Sequence, residues 1–131
     1  MKTINTIIER NEDGYYAYVK HIDGCVAGGS SYSDVKENLD EMIEMCINED
    51  ADLQKKYESG YKIKFEVSLQ SVFDLIPEVN ISQLAKLGKL NPGLLRQYVS
   101  GSKMASELQA NRVMAAIDKL ANKLNSITIT V

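Results

Sequence analysis

Histidine occurs once, at His21, tryptophan is missing, and the two cysteines, Cys25 and Cys46, form no Cys-x-x-Cys pair. Without a close-spaced Cys/His set the chain has no sequence pattern for a metal site, and no cofactor is expected. A Ser-His-Asp triad would have to be built on His21, whose neighbours Lys20, Ile22 and Asp23 supply no nucleophile, so His21 reads as a surface residue at a strand end. Both cysteines read as reduced and structural. No apolar run approaches the roughly 20 residues that span a bilayer, and the first residues lack the apolar core, ~7–15 residues long, of a signal peptide. The expected location is the cytoplasm. Repeats, low-complexity segments and linkers rich in Gly, Pro or Ser are missing too, and the only prolines are Pro77 and Pro92.

What is present is a globular composition: 131 residues, 44% hydrophobic and 25% charged, enough for one ordinary domain or two small ones. The net charge of −3 hides an asymmetry. Residues 1–70 carry 8 Lys/Arg against 14 Asp/Glu, net −6, whereas residues 71–131 carry 7 against 4, net +3. Two surfaces with two different partners are implied.

Residues 3–9 and 15–20 are rich in β-branched and aromatic types and flank Asn11-Glu12-Asp13-Gly14, a hairpin signal because Asp-Gly readily supplies a positive φ. A short third strand is expected over residues 25–27, ending at Gly28-Gly29. Ser31 followed by Asp34 is a capping-box pattern, and beyond it Val35, Leu39, Met42, Ile43, Cys46 and Ile47 form one helical stripe with Glu37, Asp40, Glu41 and Glu44 opposite. Residues 51–60 read as irregular, and residues 61–69 alternate apolar and polar as a half-buried strand. This predicts β-β-β-α-β over residues 1–70, one helix covering one face of a mostly antiparallel sheet.

Residues 71–131 read as an all-helical unit with a short strand at its end, which makes the fold class α+β. A short helix is expected over residues 71–76, stopped by Pro77. Residues 81–100 have the apolar pattern of two helices packed at a steep angle, with Leu84, Leu90, Leu95 and Tyr98 inside and Ala85 small enough for close approach. Asn91 is a good N-cap and Pro92 suits the first helical position. The turn glycine, Gly88, comes one residue earlier than is usual for a helix-turn-helix, which puts Lys89 in the expected left-handed place. On the second helix Gly93, Arg96, Gln97 and Ser100 point away from the apolar side. Arg can donate twice to guanine and Gln can pair twice with adenine, so these are candidate readers of base edges. Gln83, Asn91, Ser102 and Lys103 are candidates for positioning contacts and phosphates. A last helix, capped by Ser106 with Gln109, is expected to close the core with Val113, Ile117, Leu120 and Leu124. The closing Ile127-Thr128-Ile129-Thr130-Val131 alternates like a strand without a partner, and it is expected to pair with its copy in a second protomer, giving a homodimer or higher oligomer.

Glu12-Asp13-Gly14-Tyr15-Tyr16, Asp23-Gly24-Cys25 and Gly29-Ser30-Ser31 with Asp34 together resemble the HicB antitoxin family of type II toxin-antitoxin systems. That family's pattern is a Gly-Tyr strand, a Gly-Cys turn and Gly-x-Thr-x-x-Glu capping a helix. Here Ser31 stands for the Thr and Asp34 for the Glu, while the family's proline before the Gly-Cys turn is replaced in the region of Lys20 and His21. The resemblance implies a partial ribonuclease-H-like domain over residues 1–70 that blocks a HicA-type toxin, a small basic ribonuclease. It also implies a helix-turn-helix domain over residues 71–131 that binds operator DNA, represses the operon and dimerises. Glu12, Asp13, Tyr16, Tyr18 and Asp23 are the candidate toxin-binding residues. No enzyme activity is expected, because no strand in residues 1–30 carries an inward carboxylate of the kind a two-metal nuclease needs. The alternative is a stand-alone transcriptional regulator whose acidic half binds a ligand or mediates assembly.

Overall fold

The computed structural model describes residues 1–131. Strands β1 (Lys2–Asn11) and β2 (Gly14–Val19) form the expected antiparallel hairpin, with Thr6 opposite Val19 and Asn11 opposite Gly14. The turn closes because Asn11 Oδ1 accepts from the amides of Asp13 and Gly14, at 2.9 and 2.8 Å, and because Gly14 takes a φ of +155°. Strand β3 (Val26–Gly29) pairs antiparallel with β2, and β4 (Tyr61–Val67) lies parallel to β1 on its other side.

Helix α1 (Tyr32–Asn48) begins where Ser31 Oγ accepts from the Asp34 amide at 3.0 Å. The Asp34 carboxylate accepts from Ser30 Oγ at 2.9 Å, a neighbour of the residue the capping box would use. The stripe reads out as expected: Val35, Leu39, Ile43 and Ile47 are buried against Ile4, Ile8, Ala17 and Val19, with Met42 and Cys46 packed at the margin. Residues 51–60 are less irregular than the sequence suggested. Asp50 accepts from the amides of Asp52 and Leu53 and caps a short helix, α2 (Ala51–Lys56). The sequence reading missed it because six residues are too few to show helical periodicity.

The second half departs from an all-helical unit. Helix α3 (Leu69–Phe73) starts earlier than expected, on the Ser68 cap, and ends before Pro77. Helices α4 (Ile81–Leu87) and α5 (Pro92–Ser100) follow. The chain then returns to the sheet as β5 (Ala105–Ser106), pairing antiparallel with Val67 and Glu66 of β4, before α6 (Glu107–Ser126) begins on the Ser106 cap. The protein is therefore a mixed α+β structure with a five-stranded sheet, ordered β3-β2-β1-β4-β5, and six helices. Two residues of strand leave no period-two pattern, so β5 was not readable. Leu69, Phe73, Leu84, Ala85, Leu95, Tyr98, Ala105, Val113 and Ala116 make a second core beside the one under α1.

One expectation for the C-terminus is corrected. Leu124 does not close the core, being 63% exposed, because α6 extends past the helices it packs on. Residues 127–131 are exposed and pair with no strand of the same chain; their expected pairing is with a second copy.

The α4–α5 turn explains the misplaced glycine. Lys89 is the one non-glycine residue with positive φ, +54°, while Gly88 has an ordinary φ of −89°. The Leu90 amide donates to the Ala85 carbonyl at 2.8 Å and the Lys89 amide to the Lys86 carbonyl at 3.3 Å, the paired bonds of a Schellman cap with lysine in its left-handed position. Gly88 is needed for another reason: a Cβ there would overlap the Cβ of Ala116 on α6. The glycine is used for helix approach, and Lys89 carries the strain of about 1–2 kcal/mol.

Candidate functional site

Helix α5 is set by its two ends. Asn91 Oδ1 accepts from the Leu94 amide at 3.0 Å, Pro92 occupies the first turn, and Gly101 at φ +81° terminates the helix. Leu95 and Tyr98 point into the second core, which turns Gly93, Arg96, Gln97 and Ser100 outward, all four exposed. The outer face is not covered by the sheet. Arg96 Nη2 donates to Ser82 Oγ of α4 at 2.9 Å, so a serine on the first helix steadies the guanidinium on the second. Beyond α5, Ser102 Oγ and the Lys103 amide both donate to the Gln97 carbonyl at 3.2 Å, and Ser100 Oγ donates to Ser102 Oγ at 3.2 Å. The loop with Ser102 and Lys103 is thereby held against the end of α5, while Gln70 Nε2 donates to the Ser100 carbonyl at 3.0 Å. Gln83 is exposed on α4. All eight residues singled out for DNA are exposed: six present polar side-chain groups, Gly93 presents backbone, and the Asn91 carboxamide oxygen is occupied as a cap. Ser82 was missed, because its partner lies 14 residues away and no sequence period links them.

The five candidates on the acidic half do not form one compact group. Glu12 and Asp13 sit exposed at the tip of the β1–β2 hairpin. Tyr16 and Tyr18 follow on β2, on the face turned away from α1, with ring centroids 6.3 Å apart. Burial, then the nearby charge of Glu9, then Tyr16, push the Tyr18 phenol above its ordinary range, so it stays protonated. Asp23 is exposed in the β2–β3 loop, at the opposite end of β2, about 20 Å away at ~3.3 Å per residue. On α1, Glu37, Asp40, Glu41 and Glu44 are exposed and unpaired, since the ion pairs are Lys20–Glu66 at 3.6 Å and Lys36–Glu107 at 3.0 Å.

The second of those pairs joins the two cores. Glu107, in the first turn of α6, accepts from Lys36 Nζ at 3.0 Å and from Tyr32 Oη at 2.7 Å, both on α1. Burial opposes ionisation of Glu107, but the two donors and the Lys36 charge outweigh it and hold the carboxyl below its usual range. Burial and the bond to Glu107 raise the Tyr32 phenol. No spacing in the sequence pointed to this junction. Elsewhere, burial first and contact with Cys46 second push the Cys25 thiol up to about 12, which leaves it an unreactive core residue. No group of three or more His, Cys, Asp or Glu is gathered to hold a metal ion, and no helix is long and apolar enough to cross a membrane.

Fold and surface together define an α+β protein with an acidic sheet-and-helix half and a basic half that displays a capped, outward-facing helix. Among known proteins, the chain is similar to a UPF0150 protein of Helicobacter pylori (strain J99), 41% identical over 46 residues, which is 35% of this chain. The chain spans 64% of that relative's length. No family model matches, and no solved structure does.

Proposed function

We propose that this protein is a HicB-type antitoxin, a partial ribonuclease-H-like toxin-binding domain joined to a helix-turn-helix operator-binding domain. The observation that carries the reading is the outer face of α5, where Arg96, steadied by Ser82, stands with Gln97, Gly93 and Ser100 on a rigidly capped helix in the net-basic half. Such a face enters a major groove with its donors aimed at base edges, while Gln83, Ser102 and Lys103 meet phosphates on either side. The acidic half, at −6, suits a small basic toxin, with Glu12 and Asp13 at the hairpin tip and the neighbouring rings of Tyr16 and Tyr18 along β2 as its contacts. Asp23, at the far end of β2, contributes only to a partner long enough to reach both ends. Pairing of residues 127–131 between two copies supplies the twofold symmetry of operator half-sites. The protein has no catalytic role in this reading and acts in the cytoplasm.

The test is fluorescence anisotropy of the purified protein on the DNA upstream of its own gene and on shuffled DNA. Preference for the upstream DNA of about 10³-fold or more supports the reading, and equal affinity for both overturns its regulatory part. Growth arrest by the neighbouring toxin, relieved on co-expression of this chain, tests the other part. Specific DNA binding without any such relief favours a stand-alone regulator.

A further inference from the structure

Helices α5 and α6 enclose between them a cleft of about 440 Å3, within the roughly 300–1,000 Å3 typical of small-molecule sites. One wall is the α4–α5 turn with Leu94 and Tyr98 of α5, and the other is Gln109, Arg112 and Val113 of α6. None of Gly93, Arg96, Gln97 and Ser100 borders it, so the cleft is apart from the outward face of α5. Its charge has one sign. Lys89 and Arg112 border it, no Asp or Glu does, and the ion pairs of the protein lie elsewhere, at Lys20–Glu66 and Lys36–Glu107. The close approach of Gly88 to Ala116 sets the two cations on facing walls, because Lys89 follows Gly88 and Arg112 stands one helical turn before Ala116. Unpaired cations held in one cleft repel each other, and an anion between them removes that cost.

Tyr98 points the same way independently. It is only 4% exposed and borders the cleft, and its hydroxyl makes no hydrogen bond to the protein. No side-chain oxygen is both sealed from solvent and without a partner, so this hydroxyl is reached from the cleft. Lys89 is also the residue held at a φ of +54°, where glycine would sit without strain, and such strain gathers where the side chain is used. We infer that the cleft binds a small organic carboxylate with an apolar body. Arg112 and Lys89 hold the carboxylate, the guanidinium matching its two oxygens, and Tyr98 Oη and the Gln109 carboxamide donate to it. Leu90, Leu94 and Val113 cover the apolar body. The inference goes beyond the functional reading above and does not rest on it, since the cleft shares only Asn91 with the residues singled out for DNA.

Titration of octanoate and of cinnamate into the full chain, followed by backbone amide shifts in NMR spectra, tests this, with uncharged octanamide as the control. Both carboxylates are expected to move the amides of Leu90, Leu94, Arg112 and Val113 with a Kd of about 1 mM or tighter, and octanamide to bind at least ~10-fold more weakly. K89G and R112Q are each expected to weaken the carboxylates about 10-fold or more, and Y98F less. Lys89 and Arg112 are exposed, and glycine relieves the strained turn, so loss of binding in K89G is not loss of the fold. Shifts that are missing or map outside the cleft, octanamide binding as well as octanoate, or unchanged affinity in K89G and R112Q each overturn the inference. Should K89G and R112Q weaken DNA binding while neither carboxylate shifts the cleft, the two cations belong to the DNA backbone contact, which overturns the carboxylate site and leaves the DNA-binding reading standing.

Discussion

Substitution of Gly88 by Ala isolates the contact that fixes α4 and α5 against α6. At φ −89° the backbone accepts alanine, and by the usual entropy argument the change would stabilise by about 0.4–1 kcal/mol. The added Cβ, however, overlaps Ala116 Cβ and stands 3.4 Å from both Ala116 Cα and Leu90 Cδ1. Two of these neighbours belong to a helix interior that is 1% exposed at Ala116, so neither can swing away. Overpacking of this kind costs about 1–3 kcal/mol, which exceeds the entropy gain and leaves a net loss of about 1–2 kcal/mol. Urea unfolding followed by far-UV circular dichroism reads this directly. Ala116→Gly removes the opposing methyl, so the double variant is expected to lose at least ~1 kcal/mol less than the sum of the single losses. The companion change Lys89→Gly relieves the left-handed lysine and is expected to stabilise by about 0.5–1 kcal/mol, after glycine's entropy is set against the strain. Gly88→Ala at wild-type stability, or single losses that simply add, would refute the close-approach role.

Arg96→Ala is expected to relax base preference by about 1–3 kcal/mol at one position, whereas Lys103→Ala weakens specific and random DNA alike and flattens the salt slope by about 0.9; anisotropy titrations at several salt concentrations decide, and equal losses on both DNAs for both variants reject the assignment. For Glu107, whose carboxyl is held below its ordinary value of 4.5 in the folded state, stabilisation is present above that value and lost as pH falls through the lower folded value. Its side chain is 41% exposed, so Glu107→Gln should cost only about 0.5–1 kcal/mol at pH 7, and the difference from wild type should shrink below pH 4.5 in parallel urea series. Charge reversal of Glu12 and Asp13 together with Tyr16→Ala is expected to weaken toxin capture at least ~10-fold by calorimetry, with DNA binding unchanged; unaltered capture moves the contact elsewhere, the unpaired carboxylates of α1 being next.

The elements carried by strong periodicity were legible. The stripe of α1, the Asp-Gly hairpin and the Asn91-Pro92 start of α5 are each written within a dozen or so consecutive residues, and each is where local chemistry placed it. The misses share a cause. Helix α2 and strand β5 are too short to show a period, and β5 exists because β4 offers Glu66 and Val67 some 40 residues earlier in the chain. Leu124 fits the helical pattern of α6, but a pattern says nothing about where the supporting helices end.

At the candidate site the same division holds, and it bears on how the two halves act together. Which α5 residues face outward follows from Leu95 and Tyr98 facing inward, so one apolar pattern fixes Gly93, Arg96, Gln97 and Ser100 by exclusion. How rigidly they are held depends on distant partners: Ser82 for Arg96, Gln70 for the end of α5, and Ala116 for the turn before it. Gln70 belongs to α3, which leads straight out of β4, and Glu107 ties α6 back to Tyr32 and Lys36 of α1. The α5 face therefore does not hang from the acidic half on a free linker. It is braced by the β4–β5 strand pair and by one carboxylate with two donors, contacts that no spacing in the sequence links.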